Sequence, residues 1–504
     1  MNLLKDNWIP VRDGADLRQI SYKEMLCTEQ PKLQVALPRD DLEMACIQML
    51  AAMTQVIFMP TGKKELRERS IKPVSEQEYD RKVEKYIEWF DLDHEKWPFM
   101  QIRGVEGEWT SIQKLMIGMP EITSKSASAH AFFNEPTEIR AVSAGITAIA
   151  MFNQAANSPS FGGGFKGSLR GAGPISTIVL GTNMRNSVWA NVLSENKVKE
   201  LIPWYDTTND NDKPVWVVPI PKSDIQPYSI GLLRGLFWQP VHIELEKANE
   251  PFSCDLLGGV EQECYIGFKK KRFVYEIKGV WPHPYSPRQY DNDGTVKYMA
   301  FKGGVPSWTQ MSEFLFSSGT VGQAGYTPAA VVAQHSDTAI NLLVGGYKVV
   351  KGASIFYRRH DLYSLPAGWN DDFRGRINEI IEIGLKAREI LINKVLYPVG
   401  KGNKGKGIKG VGVDISSKAS AIYFHITEPL VHSMLRETSL KEYGKAKDVF
   451  LDDISRICLD IFDRVTQPYV HKPEILGAVA LARNKLKSLL NKLKNNYSSI
   501  GGVA

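Results

Sequence analysis

The sequence predicts an α+β protein, with a mixed α/β N-terminal domain over residues 1–365 and an all-α C-terminal four-helix bundle over residues 366–504. Three observations carry this. A chain of 504 residues is too long for one hydrophobic core. Before Pro366, short apolar runs rich in Val, Ile and aromatic residues alternate with Gly and Pro breaks. After Pro366, long segments repeat their apolar residues at a helical period.

Taken in chain order, the first element is a helix. Asp41 to Leu50 has the helical pattern, and Asp40 or Asp41 suits its N-cap. Pro214–Pro219 reads as a short apolar strand. Phe273–Ile277 alternates well enough for a half-buried strand. In the C-terminal domain, Ile377, Ile380, Ile381, Leu391 and Val395 mark a helix that should end before Pro398. A second helix is predicted from about Ser416 to Arg436, and Pro429 should kink or interrupt it. Ile454, Ile457, Cys458, Ile461, Phe462 and Val465 form a third apolar stripe. Leu476, Val479, Leu486, Leu490 and Leu493 form a fourth, with Pro473 near the first turn, where proline is tolerated. Four amphipathic helices with short links predict a bundle.

Composition narrows the class. The 43% hydrophobic and 23% charged content fits a soluble globular chain. No run of about 18 apolar residues marks a membrane span. The start, Met1 to Trp8, lacks the basic region and long apolar stretch of a secretion signal. The five cysteines, at 27, 46, 254, 264 and 458, are odd in number and widely spaced, which speaks against a disulfide framework and for a reducing cytoplasm. Only Cys254 and Cys264 lie near each other, short of the two tight pairs of a zinc site.

The net charge of +6 says less than its distribution. Lys269, Lys270, Lys271 and Arg272 form a compact cluster just before the Phe273–Ile277 segment. Lys401, Lys404, Lys406 and Lys409 sit in a glycine-rich loop of the helical domain, and no acid follows Ile475. Lysines on flexible backbone can follow a phosphate chain; each cluster alone also fits a solvated face. The usual catalytic signatures are missing. Phe161–Ser168 has glycines and Lys166, but Gly167 stands where a phosphate loop needs a hydroxyl residue. There is no HExxH and no GxSxG. The nine histidines do not pair at metal-ligand spacing. Adjacent carboxylates such as Asp40–Asp41 would not face one ion, although carboxylates from distant segments can converge for two-metal chemistry.

Several uncommon strings occur in order: Asn2–Pro10, Leu37–Asp41, Thr147–Ala155, Phe161–Lys166, Arg234–Pro240, Trp281–Pro284, Pro306–Gln310 and Gly345–Tyr347. Together they resemble CasA, the large subunit of the type I-E CRISPR Cascade complex, over residues 1 to about 485. The resemblance implies an α/β domain followed by a four-helix bundle. It implies a subunit without catalysis or cofactor; Cys254 and Cys264 depart from relatives that carry a fuller cysteine cluster, so no zinc site is carried over. The partners it implies are double-stranded target DNA, the crRNA-containing Cascade subunits (backbone, small-subunit dimer and the subunit at the guide's 5′ end) and a separate helicase–nuclease. Sequence reading beyond a short protospacer-adjacent motif falls to guide pairing.

Residue by residue, the family's glycine loop corresponds to Phe161, Gly162, Gly163 and Gly164, whose backbone can approach base edges in the minor groove. The same residues also fit a turn that lets two elements pack closely. The family's minor-groove lysine falls at Arg272, beside Lys271, and either can be the inserted cation. The family's glutamine wedge is missing from the hairpin after Tyr347; Val349 or Val350 can act as an apolar wedge, and Lys351 can hold a phosphate. Phe132 and Asn134 match the loop that docks the family's large subunit near the guide end. Two other readings stay open at this point: a metal-dependent nuclease, and a subunit that only bridges partners.

Overall fold

The computed structural model describes residues 1–29, 33–120, 138–206, 212–319, 323–349, 355–369, 371–401, 412–436, 443–471 and 473–499. The chain divides into two units by its internal contacts. One comprises Met1–Phe301, Ser317–Gln334 and Asn341–Leu362; the other comprises Lys302–Phe316, His335–Ile340 and Tyr363–Ala504.

The first unit is built on two packed, almost wholly buried helices, Asp40–Ile57 and Ala144–Ala156. The first is longer than its sequence pattern, because apolar residues from Met53 to Ile57 continue the buried face. Its N-cap is Arg39, which makes no side-chain cap bond. Asp40 and Asp41 instead occupy the first turn, where the helix dipole favours carboxylates. Antiparallel sheets surround the pair. One has the order Asp16–Ser21, Asn7–Asp13, Gln34–Val35. In another, Cys264–Lys271 pairs with Thr110–Ser111, Val142–Ser143 and His242–Lys247. A third pairs Ser176–Leu180 with Ile340–Val349, whose other neighbour is Ile355–Leu365.

Two local expectations fail here. Pro214–Pro219 is not a strand. The Pro214 carbonyl accepts from the N–H groups of both Val217 and Val218 at 3.0 Å, so the run closes a turn, and Trp216 is buried from that turn. The basic cluster does not precede a strand either. Lys269–Lys271 are the last residues of Cys264–Lys271, and only Glu276–Ile277 of the expected strand is one, pairing in parallel with Asp224–Ile225. Lysine's weak strand preference hid this, since the pairing with His242–Lys247 outweighs local propensity.

The second unit holds the four-helix bundle. Asp371–Glu389 continues through a π-helical stretch, Ile390–Leu396, into Tyr397–Lys401. The other three helices are Gly412–Arg436, Tyr443–Thr466 and Pro473–Tyr497. Ile380, Ile383, Ala387, Ile454, Cys458, Ile461, Leu486 and Leu490 fill its interior. Pro398 does not end the first helix as its sequence suggests. The π-turn just before it has the Tyr397 N–H reaching back to the Ile392 carbonyl, and this wider turn takes the proline ring that an α-turn would reject. Pro429 likewise leaves its helix uninterrupted. Pro473 opens the last helix, as expected.

Candidate nucleic-acid interface

Side chains alternate across a strand. In Cys264–Lys271 this puts Phe268 and Lys270 on one face and Lys269 and Lys271 on the other. On the first face, the Phe161 ring lies 5.7 Å from that of Phe268. The Lys270 ammonium sits 5.4 Å from the Phe161 ring centroid and 3.3 Å from the Thr110 hydroxyl. On the other face, Lys269 lies 4.6 Å over the Trp109 ring, and Lys271 pairs with Glu106 at 2.6 Å. That hydrogen bond to Lys271 holds the Glu106 carboxyl below its usual range. Arg272, one residue beyond the strand, returns to the Phe161 side: its Nη1 donates to the Gly163 carbonyl at 3.0 Å.

The glycine segment meets Arg272 because of its backbone. Gly162, Gly163 and Gly164 have φ of 82°, 54° and 83°, three successive left-handed residues. A side chain disfavours each of these, so the run depends on glycine. The Phe165 N–H closes the turn on the Gly162 carbonyl at 2.9 Å, and Ser160 Oγ accepts from the Gly162 N–H at 3.1 Å. Gly163 and Gly164 are exposed. A Cβ on Gly164 would stand 2.6 Å from Arg272 Nη1, whereas one on Gly163 would meet nothing within 4 Å. The result is an exposed turn of bare backbone with a guanidinium docked against it. Beside it, the His242 imidazole stacks on Phe273 at 4.3 Å; burial, with Lys271 and Lys222 nearby, lowers its pKa.

The same unit also contains a buried hydrogen-bonded chain. Arg39 donates to both oxygens of Asp41, at 3.0 and 2.8 Å. The Tyr347 hydroxyl donates to Asp41 at 2.8 Å and accepts from Asn153 Nδ2 at 3.1 Å. Asn157 Nδ2 donates to Asn153 Oδ1 at 2.9 Å, and its own Oδ1 accepts from Arg170 at 2.7 Å. Arg170 also donates to Ser176, Ser286 and the Ala156 carbonyl, and burial lowers its pKa to about 10. Burial pushes the Asp41 carboxyl up, but Arg39, Arg358 and Tyr347 outweigh it, and the group ends below its usual range. Asp40 turns elsewhere, to His360 at 2.9 Å and Arg358 at 2.8 Å; the His360 hydrogen bond leads in lowering it to about 2. The two neighbouring aspartates share Arg358, and each adds a cation of its own, His360 for Asp40 and Arg39 for Asp41.

Of the candidate residues, Phe161, Gly162, Gly163, Gly164 and Arg272 come together, with Lys271 adjacent on the opposite face. Phe132, Asn134, Val350 and Lys351 lie outside the described residues, as does the lysine-rich loop from 402 to 411. All five cysteines are free thiols; Cys254 accepts from the Ser143 N–H and Cys264 donates to the Phe252 carbonyl, both at 3.4 Å. Among the described residues, no group of three or more His, Cys, Asp or Glu could hold a metal ion, and no helix is long and apolar enough to cross a membrane. The sequence reading missed Glu106 and Trp109, which stand 165 and 160 residues from their cations. The pairing of Thr110–Ser111 with Gly267–Phe268 brings them there.

The profile of a family described as CRISPR-associated protein Cse1 matches residues 2–461. The chain belongs to that family. Solved Cse1 structures show the same fold. CasA from Thermus thermophilus superposes with a TM-score of 0.74 at 15% identity, covering 98% of this chain and 99% of that one. Cse1 from Thermobifida fusca gives 0.74 at 15% identity, covering 99% of both. A chain from a structure described as a CRISPR RNA-guided surveillance complex gives 0.66 at 15% identity, covering 96% of this chain and 99% of that one. The α/β portion followed by a helical bundle, expected from the sequence, is therefore the Cse1 fold, and the resemblance to CasA holds as family membership.

Proposed function

We propose that this chain is the large subunit of a crRNA-guided DNA surveillance complex, in which it reads the protospacer-adjacent motif in duplex target DNA. In this reading it helps open the duplex for pairing with the guide and supports recruitment of a separate helicase–nuclease. It acts in the cytoplasm, docked on the backbone subunits, the small-subunit dimer and the subunit at the guide's 5′ end, and it performs no chemistry itself. The observation that carries the reading is the bond from Arg272 to the Gly163 carbonyl, which joins the two candidate DNA contacts into one exposed surface. Bare glycine backbone admits close approach to base edges, and arginine suits a narrow, negative minor groove. The strand alternation favours Arg272 as the inserted cation; Lys271, already on Glu106, faces away and is suited to a neighbouring phosphate. Phe132 and Asn134 for docking, and Val350 and Lys351 for the hairpin contact, follow from the resemblance to CasA.

The test is target-duplex binding by the reconstituted complex, with and without this subunit, over a series of motifs. Gly163→Asp and Arg272→Ala should assemble normally and lose the preference for motif-bearing DNA. Gly163 is a clean site because its side is open and Asp tolerates the left-handed region. Unchanged preference in both variants would leave a bridging role. Incubation of the purified chain with Mg²⁺ or Mn²⁺ should leave DNA intact; cutting lost on carboxylate substitution would make it a nuclease.

A further inference from the structure

Arg170 is a buried cation without an anion. The residue is 4% exposed. Its two Nη groups donate only to neutral oxygens: the Ser176 and Ser286 hydroxyls, the Ala156 carbonyl and the Asn157 side-chain amide. Among the described residues its Nε–H has no acceptor and no carboxylate pairs with it. Buried charges are normally paired, so this one calls for a partner.

Arg170 lines a cavity of about 490 Å³ in the first unit. Small-molecule sites run from roughly 300 to 1,000 Å³. Lys166 and Lys297 line it too. Lys297 is already held by Asp291 at 2.6 Å, whereas Lys166 forms no ion pair among the described residues. Glu276, the lining carboxylate, is taken by Lys278 at 2.8 Å. The cavity therefore carries positive charge that nothing in it balances. Its floor adds a backbone donor. Ala172 sits between two left-handed glycines, Gly171 at φ 86° and Gly173 at φ 66°, and its N–H has no acceptor among the described residues. Turns of this kind make concave anion sites from backbone N–H groups. A Cβ on Gly171 would meet nothing within 4 Å, so space is open there. Tyr275 and Tyr298 give the cavity aromatic surface, on which a nucleobase can stack.

We infer that this cavity binds a free mononucleotide, with its phosphate on the lining cations and its base on the tyrosines. A duplex is too thick to lower a backbone phosphate to a side chain so deeply covered, whereas a single nucleotide can enter. The inference does not depend on the reading of Gly162–Gly164 and Arg272 as a duplex contact, and it adds a ligand of a different kind.

The purified full-length chain is titrated calorimetrically with AMP, UMP, adenosine, inorganic phosphate and a short single-stranded DNA, and its melting temperature is read alongside. At least one nucleotide should bind and raise the melting temperature. Adenosine and inorganic phosphate should each bind at least about tenfold more weakly than that nucleotide. Arg170→Gln should abolish nucleotide binding. Because that change also cuts buried hydrogen bonds, the exposed Lys166→Glu carries the test if Arg170→Gln does not fold. Lys166→Glu should melt like the unchanged chain without ligand and bind the nucleotide about tenfold more weakly. Nucleotide affinity unaltered in Lys166→Glu overturns the inference, as does the absence of heat and of a melting shift with both nucleotides. Inorganic phosphate binding as tightly as a nucleotide overturns it in favour of a bare phosphate site. Binding of the single strand alone overturns it in favour of a strand contact.

Discussion

At the scale of single residues, Gly164 is the most constrained position of the exposed turn. Its φ of +83° and the 2.6 Å approach to Arg272 act together. Gly164→Ala should cost about 1–2 kcal/mol of backbone strain and push the guanidinium off the Gly163 carbonyl. Thermal denaturation and motif binding should both register the change. A second residue-scale prediction concerns pH. His283 is buried, and burial with Arg170 nearby holds its pKa well below 6.5. Its Nδ1 accepts from the Tyr285 N–H at 3.3 Å, which requires that nitrogen to be unprotonated. The folded state therefore resists a proton that the unfolded state takes up below pH 6.5. Stability should be unaffected by this group above that value and fall below it, by up to about 1.4 kcal/mol per pH unit. Urea titrations at pH 7, 6 and 5 should show this slope, and His283→Gln should flatten it. Residue identity alone marked the glycines and the basic cluster as candidates. It did not choose between Lys271 and Arg272, because that choice depends on which face of the strand each occupies, and the strand was not visible behind its lysines.

At the scale of elements, the four bundle helices were legible because their apolar stripes run three or more turns and no other pattern competes. Their interruptions were not. Proline's local cost predicts an end before Pro398 and a kink or interruption at Pro429, but both helices run on past their prolines, because packing along whole helices outweighs one missing backbone bond. Pro214–Pro219 misled in the opposite direction, since a short apolar run between prolines fits a turn as well as a strand. The helical unit also relies on a residue that stands outside its helices in sequence. Trp308 is fully buried, with Gly384 pressed against its ring and Phe424 at 6.2 Å. Trp308→Ala should cost about 3–5 kcal/mol, measured by urea unfolding monitored at the helical circular dichroism band. Trp308→Phe should cost less, since it keeps a ring and removes a buried indole N–H for which no partner is found among the described residues.

At the scale of the whole molecule, a charge of +6 spread over 504 residues gives weak general attraction to DNA, so the isolated chain should bind duplex weakly and with strong salt dependence. Plotting log affinity against log salt for the assembled complex, Arg272→Ala should reduce the slope by about one if the guanidinium displaces one counterion. The buried chain from Arg39 through Asp41, Tyr347, Asn153 and Asn157 to Arg170 has a different consequence. The strings at 37–41, 147–155 and 345–347 supply four of its six residues, Arg39, Asp41, Asn153 and Tyr347, so segments far apart in sequence depend on one another for their buried polar groups. A fault at one link is therefore felt by strands and helices that never meet in sequence: Asn153→Leu should take a partner from the Tyr347 hydroxyl and the Asn157 amide together, and lower the melting temperature more than the loss of one hydrogen bond would.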